Sequence, residues 1–323
     1  MDYASLNHDI SPVAEGVSDA WRRALSRLGD YTALVVRALN LRPTAVSLYA
    51  QTERHLLVRI STPGEHLILR IAPEDNLAAH SFFVRTMSGQ ALPSARIIQR
   101  DLSRTLVPFA YVLESFVPGV PAVTLSEPHL LRGAGRQAGR ALRRMHRVST
   151  PGAGRPTPAG RWPQLAWPVV LQQIGAQFAP PPADALLFGE AERAVLTTLL
   201  DDERLAISQP VLMHGAFGPA VARCTAGMHV HLEAIEAPGR WVAGDGLFDL
   251  ACGLCPVYPA PWREGLLDGY TAAGPLTPAE QERLPLLQLL AWSWLACYHY
   301  MRAEPYAAAR DEALRLLETI VAA

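Results

Sequence analysis

The sequence contains no lysine. All 29 of its basic residues are arginine, so any task that needs a lysine ammonium group must use a planar, permanently charged guanidinium that is poorly suited to proton transfer. Basic and acidic residues nearly cancel, at 29 against 30. Because no basic excess exists to release the counterions of DNA or RNA, we expect no nucleic-acid partner.

Cysteine and long apolar runs are also scarce. Four cysteines in 323 residues imply no disulfide framework, and the spacing of Cys252 and Cys255 in a predicted helix favours two core residues over a redox or metal role. The most apolar stretch, residues 284–301, contains proline, glutamine, serine and histidine and predicts a buried helix, not a membrane span. No basic segment followed by an apolar run marks a secretory signal near the first residue. We expect a cytoplasmic protein of bacterial type without a membrane partner.

Apolar periodicity predicts strands in the first part of the chain. A helix is predicted over 17–39, and a second helix over 77–88 is inserted among the strands. Short apolar runs separated by polar turns predict five strands, at 45–49, 56–60, 67–71, 95–99 and 111–115. The result is a small antiparallel sheet with one inserted helix.

The second part of the chain is mainly helical. A loop rich in proline, glycine and arginine is predicted over 150–168, and a hairpin over 222–235. The predicted helices cover 130–148, 169–178, 183–200, 248–255, 262–273, 278–301 and 307–322. Strands followed by helices predict an α+β fold. The predicted parts are an N-terminal lobe, residues 1–117, and a helical C-terminal lobe with the central hairpin, residues 118–323.

Five short segments carry a family resemblance. They are Leu-Pro-Ser-Ala-Arg at 92–96, Tyr-Val-Leu-Glu-Ser-Phe-Val-Pro-Gly-Val-Pro at 111–121, Gly-Arg-Ala-Leu-Arg-Arg-Met-His at 139–146, Met-His-Gly at 213–215 and Gly-Asp-Gly-Leu-Phe-Asp-Leu-Ala at 244–251. In order and spacing they resemble the aminoglycoside phosphotransferase/choline kinase family over about residues 40–320. The resemblance implies a bilobal protein-kinase-like fold, and transfer of a phosphoryl group from ATP to a small-molecule hydroxyl with the help of magnesium.

The same resemblance implies where a nucleotide would bind in the N-terminal lobe. The lobe-connecting strand would contribute Glu114, Ser115 and Phe116 as cofactor-binding residues, and Arg70 takes the place of the cation on the third strand. A guanidinium there can hold phosphate through two parallel hydrogen bonds, although an alternating strand can instead point it to solvent.

Two departures weaken this nucleotide site. The turn that should cradle the phosphates, residues 51–54, has no glycine and carries Glu53 where an anion would bind. The helix glutamate that pairs with the cation in active relatives aligns with His80, and no glutamate lies between Asn76 and Met87. A neutral imidazole supplies no fixed negative charge to orient Arg70.

The catalytic loop departs furthest from the family pattern. The aspartate that positions the substrate hydroxyl aligns with Ala216, and the metal-binding asparagine aligns with Val221. Neither side chain can do that work, and such losses typically reduce rates by several orders of magnitude. His214 remains as a weak candidate for a substitute base, although it is usually structural in the family.

Carboxylates that could still hold magnesium follow the hairpin. Glu236 matches the second metal ligand with one extra methylene, although the spacing also allows Ala237 at that place. Asp245 is a weaker metal candidate, and in the family it and Asp249 usually support the loop by hydrogen bonding and helix capping. Glu233 would join Glu236 only if its strand were bulged.

Three functions remain open on this pattern. The first is a catalytically degenerate member that binds a small molecule, a nucleotide or a protein partner in the interlobe cleft. The second is an active ATP-dependent phosphotransferase with relocated acids, Glu236 and Asp245. The third is a non-kinase enzyme of natural-product tailoring that reuses the cleft. ATP and magnesium are the cofactors that the resemblance implies.

Overall fold

The computed structural model describes residues 2–7, 18–52, 54–73, 75, 77–180 and 183–322. The described residues divide into two compact units. The first consists of the chain up to Gln90 with Ser94–Val117 and Thr157–Gly160, and the second consists of Ala91–Pro93, Pro118–Pro156 and the chain from Arg161 onward. Among the described residues, no helix is long and apolar enough to cross a membrane.

The first unit is built on a five-stranded antiparallel sheet in the order β1-β2-β3-β5-β4. Its strands are β1 (Ala45–Gln51), β2 (Leu56–Ser61), β3 (His66–Ala72), β4 (Ile97–Asp101) and β5 (Ala110–Ser115). Its helices are α1 (Asp19–Ser26), α2 (Leu28–Ala38) and α3 (Ala78–Gly89). The single helix predicted over 17–39 is wrong, because the backbone leaves the helical region at Arg27 (φ −133°) and divides it into α1 and α2.

Strand alternation gives the sheet two different faces. Leu67, Leu69 and Ile71 of β3 pack into a core that also contains apolar residues of α1 and α2. The intervening positions of β3 point to the opposite face, because successive side chains alternate along a strand. Arg70 lies on that opposite face, beside the apolar patch formed by Ala72, Leu77, Ala110 and Val112.

The second unit consists of helices around short strand pairs. Its helices are α4 (Pro128–Met145), α5 (Trp167–Phe178), α6 (Ala183–Leu187), α7 (Glu190–Leu199), α8 (Gly246–Gly253), α9 (Ala260–Thr271), α10 (Pro278–Met301) and α11 (Ala307–Ala322). Its strands are β6 (Val120–Pro121), β7 (Val211–Leu212), β8 (Ala222–Ala226), β9 (Val230–Ile235) and β10 (Ala243–Gly244). The predicted α+β class, with an antiparallel-sheet part before a helical part, is confirmed.

Two differences from the prediction involve short elements. The helix predicted over 183–200 is broken at Phe188 and Gly189 into α6 and α7. Strands β6 and β10, of two residues each, escape the prediction because such short segments show no periodicity. The predicted hairpin is present as β8 and β9, and its register shifts between Arg223 and Cys224, so β9 does carry the bulge that the sequence left open.

Glycines bring helices α4 and α9 into backbone contact. Gly135 and Gly139 lie one turn apart on α4, and Gly265 and Gly269 lie one turn apart on α9. A Cβ atom added at any of the four would overlap a backbone carbonyl oxygen of the other helix. Only glycine allows this approach, so these four residues fix α9 against α4.

We therefore expect Gly139→Ala to lower the free energy of unfolding by about 1–3 kcal/mol, the usual effect of overpacking. Gly227→Ala is the matched control, because an added Cβ there meets nothing within 4 Å. Urea unfolding of the two variants and the wild type measures the difference. Equal stability of the two variants would show that the helices can separate without loss.

Candidate functional site

A buried ion pair forms the polar centre of the first unit. The Arg70 guanidinium donates from Nε and Nη2 to Oε1 of Glu114, at 3.1 and 2.7 Å. The ring Nε2 of His80 lies 2.8 Å from the other carboxylate oxygen, Oε2. All three residues are buried. Arg70 is therefore not at the solvent-exposed position that strand alternation also allowed.

The partner of Arg70 comes from a neighbouring strand, not from a helix. In the β3–β5 register Ile68 faces Glu114 and Arg70 faces Val112, so Arg70 and Glu114 are diagonal neighbours on one face of the sheet. His80, on helix α3, adds a hydrogen bond to the Glu114 carboxylate. The sequence interpretation missed this pair because it looked for the carboxylate only in the helix, whereas strand alternation applied to β5 could have found it.

Electrostatics keep Glu114 ionised. Burial alone would raise the pKa of Glu114, but the charge of Arg70 and the bond from His80 outweigh it and hold that pKa at about 2. Burial, and after it the charge of Arg70, lowers the pKa of His80. The same two causes lower the pKa of the nearby His55 to about 2. The positive charge of Arg70 is thus neutralised inside the protein.

The turn expected to cradle phosphates has its amides occupied. The hydroxyl oxygen of Thr52 accepts hydrogen bonds from the backbone N–H groups of Arg54 and His55, at 3.3 and 2.9 Å. Amides that are bound inside the turn are not free for an anion. The predicted carboxylate of Glu53 lies outside the described residues.

The two other residues predicted to bind a cofactor have their amides in sheet hydrogen bonds. The N–H of Ser115 donates to the carbonyl of Arg96, and the N–H of Phe116 donates to the carbonyl of His66. The ring of Phe116 also receives the Arg59 guanidinium, 4.7 Å from its centroid. Their role in cofactor binding stays a prediction.

In the second unit, Asp249 holds the loop that carries the expected catalytic position. Its carboxylate accepts hydrogen bonds from the backbone N–H groups of His214, at 2.5 Å, and Gly215, at 2.8 Å. Gly215 adopts a left-handed φ of 77°, and a Cβ there would overlap the carbonyl oxygen of Trp241. The loop thus has a defined shape and presents only the methyl group of Ala216.

His214 supports the same loop. Its Nε2 lies 2.8 Å from the carbonyl oxygen of Glu236, and its Nδ1 accepts a 3.3 Å hydrogen bond from the N–H of Ala216. These bonds assign the ring proton to Nε2, because a carbonyl only accepts. His214 is completely buried. This geometry serves a structural role better than that of a base.

The carboxylate of Glu236 is paired with an arginine. The Nε of Arg223, on the adjacent strand β8, lies 2.9 Å from Oε2 of Glu236, and its Nη1 donates to the carbonyl of Gly119. The bulge in β9 does not unite Glu233 with this pair, because the Glu233 carboxylate accepts from Thr225. A guanidinium in this position competes with any divalent cation for the same oxygen.

The other predicted metal ligand, Asp245, caps helix α8. One of its oxygens accepts from the N–H of Leu247 at 3.0 Å, and the other lies 2.6 Å from Nε of Arg283. Burial raises the pKa of Asp245 against the opposing effect of Arg283. Within the described ranges, no group of three or more His, Cys, Asp or Glu side chains could hold a metal ion. Because Glu236 and Asp245 each contact an arginine, this pair of carboxylates does not fit the magnesium that the resemblance implies.

The cysteines lie in the core. Cys252 and Cys255 are both buried thiols, and burial raises the pKa of each. A thiol that resists ionisation is a poor nucleophile and metal ligand. This agrees with the core role favoured by their spacing.

Loss of the Glu114 charge should destabilise the first unit. Glu114→Gln leaves the Arg70 guanidinium buried without a counter-charge, so we expect a loss of about 3–5 kcal/mol. Amide exchange in β3 and β5 reports it. Glu65→Gln, an exposed change in the same unit, is the matched control, and a loss no larger than that of the control would contradict the pairing.

The low pKa of His55 predicts a pH dependence with a definite sign. A histidine that stays neutral in the folded state favours folding above its unfolded pKa of about 6.5, and that contribution is lost as the pH falls and the unfolded chain binds the proton. Between pH 6 and 5, we expect His55→Gln to reduce the slope of the unfolding free energy by up to about 1.4 kcal/mol per pH unit. His66→Gln, whose ring is exposed, is measured beside it, and equal slopes for the two variants would contradict the burial of His55.

Comparisons with known proteins identify the family. The model described as the phosphotransferase enzyme family matches residues 10–220, which is more than half of the chain. A thermostable mutant of aminoglycoside phosphotransferase APH(4)-Ia, solved with AMP-PNP and hygromycin B, is 15% identical, with 88% of this chain and 97% of that chain covered at a TM-score of 0.61. Macrolide 2'-phosphotransferase MphH from Brachybacterium faecium is 17% identical, with 88% and 97% covered at a TM-score of 0.54.

At these identities the solved structures establish a shared fold and nothing about the substrate. No curated protein matches the sequence. The resemblance drawn from the five sequence segments is confirmed by the family match and by the shared fold of the phosphotransferase structures. This chain belongs to the phosphotransferase enzyme family.

Proposed function

We propose that this chain is a catalytically degenerate phosphotransferase that binds a small molecule and transfers no phosphoryl group. The observation that carries the proposal is the loop at Ala216. Asp249 and Gly215 hold its backbone in a defined conformation, yet the side chain at the catalytic position is a methyl group. The scaffold is retained where the chemistry is not.

The state of the remaining carboxylates supports the proposal. Magnesium in phosphoryl transfer is bound by one or two carboxylates together with the phosphates of the nucleotide. Glu236 pairs with Arg223 and Asp245 pairs with Arg283, and Val221 offers no ligand atom. A relocated acid would have to bind metal or accept a proton while an arginine already neutralises its charge.

The first unit supports the proposal in the same way. Phosphate binding needs an available cation and available amides. Glu114 neutralises Arg70, and Thr52 binds the amides of the turn. We therefore place the ligand of this protein among small molecules that do not depend on a magnesium-bound triphosphate, and we keep a cytoplasmic, bacterial setting as part of the proposal.

Thermal unfolding with ATP and magnesium tests the function. A ligand at a hundred times its dissociation constant stabilises a protein by about 2.7 kcal/mol, so binding would raise the melting temperature visibly. We expect no magnesium-dependent rise with ATP and no ATP consumption. We also expect Glu236→Gln to behave like Glu264→Gln, a control at an exposed surface pair.

The opposite result is equally defined. A magnesium-dependent rise, accompanied by ATP consumption that Glu236→Gln abolishes and Glu264→Gln keeps, would overturn the proposal. It would establish the phosphotransferase with relocated acids instead.

A further inference from the structure

A cavity inside the second unit lies among residues that the site described above does not use. It has a volume of about 200 Å³ and is lined by residues of α5, α6, α7 and α10 and by residues that follow α6 and α7. Gln172 and Thr197 at its edge are exposed, so the cavity is open to solvent on that side. We call it the α5–α7–α10 cavity.

One wall of the cavity is a fixed aromatic surface. The indole of Trp294 lies directly against the backbone of α5 at Gly175, where an added Cβ would be 2.8 Å from ring carbon Cζ2. The ring of Phe248 packs against the same indole, 6.1 Å between centroids. Phe188 is a second aromatic residue of the lining. Contacts with α5 and Phe248 hold the Trp294 ring in place, and Trp294 contributes apolar ring surface to the lining.

Two donor groups of the lining have no hydrogen-bond acceptor in the described part of the protein. The hydroxyl of Ser293 is buried, with 1% of the residue exposed, and its Oγ has no hydrogen-bond partner among the described residues. The Nε of Arg193 is also buried without a hydrogen-bond partner in the same described part of the chain. Buried polar atoms are nearly always satisfied, so both point to a bound group that supplies an acceptor.

A carboxylate also lines the cavity. Asp184 accepts a hydrogen bond from the N–H of Ala185 through one oxygen, Oδ1. Cys297 belongs to the same lining. Burial, and to a smaller extent the charge of Asp184, raises the pKa of the Cys297 thiol to about 12, so the thiol is neutral. The fixed charges of the lining are therefore one guanidinium and one carboxylate, which favour a ligand without net charge.

We propose that the α5–α7–α10 cavity binds a one-ring aromatic molecule without net charge. An acceptor atom of this molecule forms hydrogen bonds with Ser293 and Arg193, and a donor group of it forms a hydrogen bond with Asp184. Primary aromatic amides are the simplest members of this class. The carbonyl oxygen of such an amide accepts hydrogen bonds from Ser293 and Arg193, and its NH₂ group donates to the carboxylate of Asp184. Its ring packs against Trp294. The proposal deepens the proposed function and rests on it, since it names the chemistry of the small molecule.

The size of the cavity agrees with this class. An apolar cavity of about 150 Å³ accommodates benzene, and the volume here, about 200 Å³, leaves room for one substituent on such a ring.

Four probes that share a ring test the proposal on the full chain. Benzamide has an acceptor and a donor without charge, benzoate has an acceptor with a negative charge, benzylamine has a donor with a positive charge, and toluene has neither. Ligand-observed NMR titration up to about 10 mM measures each dissociation constant. We expect benzamide to bind about tenfold more tightly than each of the others, the effect of one good hydrogen bond.

Ser293→Ala is the decisive variant, since it removes an unsatisfied hydroxyl and should not lower the melting temperature. We expect it to weaken benzamide binding about tenfold and to leave toluene binding unchanged, while the exposed change Ser208→Ala leaves both unchanged.

Three results would overturn the proposal. The first is that no probe shows saturable binding, which would mean that water satisfies Ser293. The second is that toluene binds as tightly as benzamide. The third is that Ser293→Ala leaves the affinity for benzamide unchanged. None of these readouts involves ATP, so failure of this proposal is distinguishable from phosphoryl transfer, which would refute the proposed function.

Discussion

The carboxylate of Asp249 holds together three segments of the second unit. It accepts hydrogen bonds from the backbone N–H groups of His214 and Gly215 and lies 3.4 Å from Nε2 of His146, the residue that follows α4. Asp249 is completely buried. A buried carboxylate without such partners would be very costly, so the loop backbone has to stay where it satisfies the charge. The shape of the loop is therefore independent of the side chain at position 216.

That independence follows from where the loop backbone finds its contacts. The conformation at Gly215 depends on its positive φ and on the approach of Trp241, and His214 is fixed by the carbonyl of Glu236. None of these interactions involves a substrate or a metal. They stabilise the loop backbone without using the side chain at position 216.

Arginine pairs with one candidate carboxylate of the first unit and with two of the second unit. Arg70 binds Glu114, Arg223 binds Glu236 and Arg283 binds Asp245. The chain has no lysine, and the guanidinium of each pair keeps its positive charge throughout the physiological pH range. Each arginine neutralises the carboxylate that it contacts. The unsatisfied donors Ser293 and Arg193 lie elsewhere in the second unit, which is why we look for the ligand there.

The sequence by itself determined the class of the fold, most element positions and the family. The residues at positions 216 and 221 are also read directly from it, and their match to the family's catalytic positions stays a prediction. Apolar periodicity found β3 and β5, and the order of the motifs assigned Ala216 to a loop, which the structure places after β7. What the sequence could not supply were partners that are distant in sequence and adjacent in space.

Only the tertiary structure decided those partners. Glu114 reaches Arg70 across a strand register separated by 44 residues, and Arg223 reaches Glu236 across a hairpin whose bulge no periodicity reveals. The α5–α7–α10 cavity likewise depends on how helices that are each ordinary in sequence pack around Gly175 and Trp294. Periodicity reports which face of an element is buried. Which charged group or ring packs against that face depends on contacts between elements that are distant in sequence, and the pattern of a single element does not encode those contacts.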